Sequence, residues 1–187
     1  MNIKGIIDED FVNYKLPSMF ITTNTCSFKF DKECGKPVCQ NSALLKEPSI
    51  QINDEDLVKR YLKNPITKAI VFGGLEPIDQ FEELEHCIYM FRNVLDLNTL
   101  KYLCYDDIVI YTGYTKEELE NMHININFKD DNEGVIWPHY VSYLDCLKQY
   151  KNIVIKYGRF TPDQQPHFDP VLGVNLASDN QYAERIS

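Results

Sequence analysis

The sequence predicts an α/β protein with a mainly parallel sheet. Short apolar strands alternate with helical segments, the pattern of successive βα units. Stretches such as Ala69-Ile70-Val71-Phe72 and Ile108-Val109-Ile110-Tyr111 are apolar without alternation, as in strands covered on both faces. Each strand also runs into a loop of unusual composition, and in parallel sheets such strand ends gather ligands on one rim.

Taken in order, SMFITT (18–23) is short, apolar and β-branched, and it leads directly into a cysteine-rich loop. Asn53 to Lys63 reads as a helix, with Asn53 as cap, acids in the first turn, and Leu57, Tyr61 and Leu62 on one apolar face. KAIVFGG (68–74) is a buried strand ending in two glycines, and a helix follows over about 80–95, with Phe81, Leu84, Cys87, Ile88 and Phe91 near helical spacing. DDIVIYTGY (106–114) is the third strand. Thr115 and Glu118 form a capping box for a helix over 115–122. Residues 123–137 read as a loop or insertion, and Pro138 as the start of a helix reaching about Tyr150. NIVIKYGRF (152–160) is the fourth strand, and LGVNLA (172–177) adds a short one within the C-terminal tail.

With 187 residues, 44% hydrophobic and 25% charged, the chain has the composition of an ordinary globular domain. A net charge of −9 argues against a nucleic-acid partner, which calls for a basic patch. No apolar run is long enough for a membrane span, and MNIKGIIDEDF lacks the apolar centre of a secretory signal. These features lead to the expectation of a cytoplasmic protein without nucleic-acid or membrane partners. The acidic clusters at 8–10, 54–56 and 130–131 read as solvated surface.

Three of the six cysteines, Cys26, Cys34 and Cys39, fall in the loop TCSFKFDKECGKPVCQN (25–41). In a reducing compartment clustered thiols point to a metal or to chemistry more often than to disulfides. Three thiolates suit an iron–sulfur cluster with one open iron; a closed zinc site needs a fourth ligand, and this loop has no histidine. A plain loop with free thiols fits the spacing equally well. Cys87, Cys104 and Cys146 stand singly among apolar neighbours and read as core.

The order of short motifs then matters. MFITTNTC running into Cys39-Gln40-Asn41 resembles the opening of radical S-adenosylmethionine enzymes, in particular the glycyl-radical activases such as that of anaerobic ribonucleotide reductase. Gly73-Gly74-Leu75-Glu76-Pro77 resembles that family's glycine-glycine-acid-proline segment, with one extra residue. Ile110-Tyr111-Thr112-Gly113-Tyr114, Lys156-Tyr157-Gly158-Arg159-Phe160 and Ala177-Ser178-Asp179-Asn180-Gln181 resemble three later segments, so the likeness runs over 18–181 of a single domain, 1–187.

The resemblance implies a partial (β/α) barrel, a 4Fe–4S cluster on Cys26, Cys34 and Cys39, and S-adenosylmethionine on the open iron. Gly73, Gly74, Glu76, Pro77, Tyr111, Thr112 and Gly113 are the implied cofactor-binding residues; no catalytic side chain is assigned. It further implies reductive cleavage to a 5′-deoxyadenosyl radical, with the cofactor carrying the chemistry. A flavodoxin or ferredoxin would supply the electron, and a glycyl radical enzyme or other protein or peptide would be the substrate. Phe30 departs from the pattern, because the family's second cysteine falls there. Either Cys34 serves as second ligand, with seven residues before it and four after it to Cys39, or the chain lacks a ligand and acts as a binding module.

Among other side chains, Glu76 reads as a functional carboxylate or a turn residue before Pro77. Arg159 reads as a partner for a cofactor carboxylate or for a surface acid. His139 and His167 read as structural, and Trp137 as a packing anchor.

Overall fold

The computed structural model describes residues 1–93, 95–96, 101–102, 105–129 and 136–187. A seven-stranded mixed sheet organises them. Its strands are β1 (Asn2–Asp10), β2 (Ser18–Thr23), β3 (Ile50–Gln51), β4 (Ala69–Gly73), β5 (Asp107–Tyr111), β6 (Ile153–Tyr157) and β7 (Tyr182–Arg185). They lie in the order β7-β6-β5-β4-β2-β1-β3. The four central strands, β2, β4, β5 and β6, are parallel and follow one another in chain order. β1, β3 and β7 pair antiparallel at the flanks. The edge strands β3 and β7 are not paired with each other, so the sheet is open among the described residues.

Among the described residues five α-helices accompany it: α1 (Lys29–Cys34), α2 (Asp54–Lys63), α3 (Phe81–Asn93), α4 (Lys116–Asn121) and α5 (Tyr143–Lys148). The capping signals act as expected. The Asn53 side chain accepts from the Glu55 amide at 3.1 Å, and Thr115 and Glu118 form both halves of a capping box. A 3₁₀ turn, Pro77–Gln80, precedes α3, with proline in its first turn, where no amide donor is needed.

Alternation along the strands sorts the core into two layers. Met19, Ile21, Ile70, Phe72, Ile108, Ile110, Ile153 and Ile155 pack against Leu57, Leu84, Ile88, Phe91, Leu119 and Leu144 from the helices. Val71, Val109 and Val154 face the opposite way, against Tyr14, Leu172 and Leu176. That second face is covered by coil and a short hairpin, His167–Asp169 with Val174–Leu176, instead of helices. The Lys15 amide donates to the Leu172 carbonyl at 2.7 Å, and the Tyr14 hydroxyl donates to Asp107 at 2.7 Å. Both faces are thereby dry, as the continuous apolar strands require.

Several expectations need correction. The stretch from 123 to 137 is not a loop throughout: His123–Lys129 is a strand, paired antiparallel with Ile136–Ser142. HININFK alternates polar and apolar residues, the signature of a ribbon strand. Pro138 sits inside that ribbon and opens no helix; a two-stranded ribbon tolerates proline because one side of each strand needs no donor. The helix starts only at Tyr143, with the Ser142 side chain accepting from the Asp145 amide. Cys87 and Cys146 are buried in the core, whereas Cys104 and the side chains of Trp137 and His139 fall outside the described residues. No helix among the described residues is long and apolar enough to cross a membrane.

Candidate functional site

The C-terminal ends of the four parallel strands enclose a cavity of about 530 Å³. Its walls come from every segment singled out in the sequence. The cysteine loop contributes Cys26, Phe30, Cys39 and Asn41, and the glycine loop after β4 contributes Gly74, Leu75 and Glu76. Tyr111, Thr112 and Gly113 close one side, Lys156 with Gly158 and Arg159 another, and Ala177 and Gln181 complete it. Gly73 and Pro77, expected at the site, are not among the lining residues. Gly73 instead packs between Phe20 and Tyr111, where an added Cβ would meet the Phe20 ring at 3.0 Å. Pro77 is buried and begins the 3₁₀ turn.

Glu76 is the strut of this rim. Its carboxylate accepts from the Thr112 hydroxyl at 2.7 Å, the Gly113 amide at 2.8 Å and the Ile78 amide at 3.1 Å. Burial pushes its pKa up to about 7, against those three donors. With both oxygens engaged, it ties the loop after β4 to the end of β5 while also lining the cavity.

The cysteine loop is folded by groups that its spacing did not reveal. Phe28 adopts a left-handed conformation (φ 49°), and its amide donates to Cys26 Sγ at 3.4 Å. The Asp31 carboxylate accepts from the Val38 and Cys39 amides at 2.9 Å each, which folds the loop back and turns Cys39 to the cavity. The Asn41 side chain donates to the Gly74 carbonyl at 2.7 Å. The Ser27 amide and Tyr114 hydroxyl donate to Asp79, and the Asn24 amide donates to Gln80. Burial pushes the Cys26 thiol up to about 11, with Glu76, Asp79 and Cys39 acting in the same direction.

The three thiols do not converge. Cys26 and Cys39 line the cavity; Cys34, the last residue of α1, is exposed and lies outside the lining. Phe30, where the family's second cysteine falls, does line the cavity. Its ring meets Tyr114 edge-on at 5.8 Å, and Arg159 lies over its face at 4.4 Å. Gly113 makes room for it: an added Cβ there would come within 2.3 Å of the ring. Arg159 also pairs with Glu33 at 2.7 Å, the surface-acid alternative of the sequence reading. Among the described residues no group of three or more His, Cys, Asp or Glu side chains is arranged to hold a metal ion. The donor set therefore does not fit a cluster held by three protein thiolates.

Lys156 opens the segment that resembles the family's GRF strand end, but the sequence reading gave it no role. It is 7% exposed, lies on the coil-covered face beside Tyr111, and its ammonium donates to the Gly158 carbonyl at 2.5 Å. Burial pulls its pKa down to about 8, while Glu76 acts the other way. No carboxylate lies within ion-pair distance of it among the described residues. A lysine inside the apolar run NIVIKY was the available signal, because charge in a strand buried on both faces is rare without a purpose.

The C-terminal segment buttresses the Gly158–Arg159 end. Gln181 accepts from the Ala177 and Ser178 amides and donates to the Gly158 carbonyl, and Asn180 donates to the Arg159 carbonyl. No family model, curated protein or solved structure matches this chain.

Proposed function

We propose that this chain is a radical S-adenosylmethionine-type protein whose rim cavity receives S-adenosylmethionine. One observation carries the reading: all five segments that resemble the family's motifs contribute walls to one cavity. The four consecutive parallel strands would then be the first units of a partial (β/α) barrel of that family's kind. The volume suits a nucleoside-sized ligand. Gly74 lines the cavity with bare backbone for a methionine end, and its φ of 82° and the Thr22 side chain 2.5 Å from an added Cβ both call for glycine there. The Lys156 ammonium, at the cavity, offers a cation for a ligand carboxylate. Tyr111 and Phe20 supply apolar surface for the adenosine.

The free thiols of this loop suit a reducing cytoplasm. Activation of a glycyl radical enzyme, or of another protein or peptide, with electrons from a flavodoxin or ferredoxin, belongs to this reading only together with a complete cluster site. The native loop presents two thiols to the cavity, and no radical step is assigned to it. Its direct role is then that of a binding module.

The test is equilibrium dialysis of S-adenosylmethionine against the native chain, with adenosine and methionine as partial ligands. Binding in the micromolar range, weakened by Lys156→Met, is expected. No binding up to millimolar ligand would sink the reading.

A further inference from the structure

We infer that Phe30, and not a rearranged Cys34, decides the cluster chemistry of this loop: the native chain cannot assemble a three-thiolate 4Fe–4S cluster, and a cysteine at position 30 would complete one. The reason is which loop positions reach the cavity. Residues 26, 30 and 39 line the cavity, and residue 34 does not. Phenylalanine has no donor atom, so the native set is two sulfurs and a ring, whereas a cluster with one open iron needs three thiolates.

For Cys34 to substitute, α1 would have to slip by a full turn, because 30 and 34 are one turn apart on the same helix. The helix is fixed against that slip at several points. Asp31 holds the Val38 and Cys39 amides, Glu33 pairs with Arg159 at 2.7 Å, and Lys29 pairs with Glu118 at 2.6 Å. The Phe30 ring is itself seated against Gly113, under Arg159 and at the edge of Tyr114. A slip would break all of these together and unseat Cys39, since the Asp31 bond that positions it would be lost. The rescue of one ligand would thus displace another.

The position the ring now occupies is already bounded for a third ligand. It opens on the cavity that Cys26 and Cys39 also line, and it abuts Gly113, which has no side chain. Removal of the ring would leave space there for inorganic sulfide and iron, with thiolate from position 30 replacing solvent on the metal. Assembly from ferrous and ferric iron, supplied in equal parts with sulfide, is ligand exchange on the thiols with release of their protons, and no iron need change oxidation state.

The experiment is anaerobic reconstitution of the full chain with iron and sulfide, for the native protein, Cys34→Ala, Phe30→Cys, and Phe30→Cys with Cys34→Ala. Iron and sulfide analysis and absorbance near 400 nm give the readout. Substoichiometric iron in the native chain, unchanged in Cys34→Ala, is expected, with about four irons per chain in both Phe30→Cys proteins. A native chain with about four irons that Cys34→Ala loses would overturn the inference. So would a Phe30→Cys protein that is folded by circular dichroism yet gains no iron; if that variant does not fold, the native and Cys34→Ala pair still decides. Dialysis of S-adenosylmethionine against the native chain is separate. Loss of that binding would remove the proposed function and leave the iron result standing.

Discussion

The Glu76 carboxylate accepts from the Gly113 amide at 2.8 Å, so the loop after β4 and the end of β5 are held by a single side chain. Its removal strands three donors, from Thr112, Gly113 and Ile78, in a buried place. Glu76→Ala is therefore expected to lower stability by about 2–4 kcal/mol, measured by urea unfolding. The carboxyl is raised above its ordinary value, so its ionisation opposes folding. The native chain should lose stability as pH rises toward about 7, and Glu76→Ala should not show that loss.

Gly113 and Phe30 form a second coupled pair. Gly113→Ala puts a methyl group 2.3 Å from the ring and should cost about 1–3 kcal/mol by overpacking. In a Phe30→Ala background the same change should cost little. A double-mutant cycle by urea unfolding checks the coupling; equal costs in both backgrounds would contradict the packing described.

Lys156 should show opposite effects on binding and stability. Lys156→Met removes a buried ammonium that lacks a carboxylate partner among the described residues, and it is expected to hold or raise stability by about 1–3 kcal/mol. The same change should weaken S-adenosylmethionine binding about tenfold or more. In the native chain the ammonium loses its proton as pH rises through about 8. Affinity should then be present below that pH and fall above it, while stability rises with pH from about 8 upward, since the unfolded lysine still holds its proton there. Titration calorimetry across pH 6–9 reads the first effect on the native protein.

Alkylation should rank the loop thiols. Cys34 is exposed and should react with iodoacetamide first at neutral pH. Cys26, pushed up to about 11 by burial, should label slowly there and faster as pH climbs. Peptide mass spectrometry after timed labelling checks the order, and a Cys26 faster than Cys34 would contradict the loop geometry.

Legibility in the sequence followed the range of the forces. β2, α2 and the Thr115 capping box carry their signals within a few residues, and they lie where the pattern put them. β1 and β7 carried no such signal. NIKGIIDED and YAER are mixed in polarity, and they are strands because β2 and β6 offer them partners far away in sequence. The rim was legible as a set of glycine- and cysteine-bearing strand ends. That position 30 reaches the cavity and position 34 does not was not legible, because it depends on how Asp31 folds the loop back. Lys156 stood in plain view within its strand, but only its neighbours reveal that it faces the cavity.

The Tyr14 bond to Asp107 spans 93 residues, and Lys15 reaches the Leu172 carbonyl. The first segment of the chain therefore cannot settle until strands made much later have formed, so loop-closure entropy is spent early and recovered late. Such long-range contacts make for a slow folder. During synthesis the valines of β4 and β5 would remain uncovered until the final hairpin emerges, and that interval is when this chain is most exposed to aggregation.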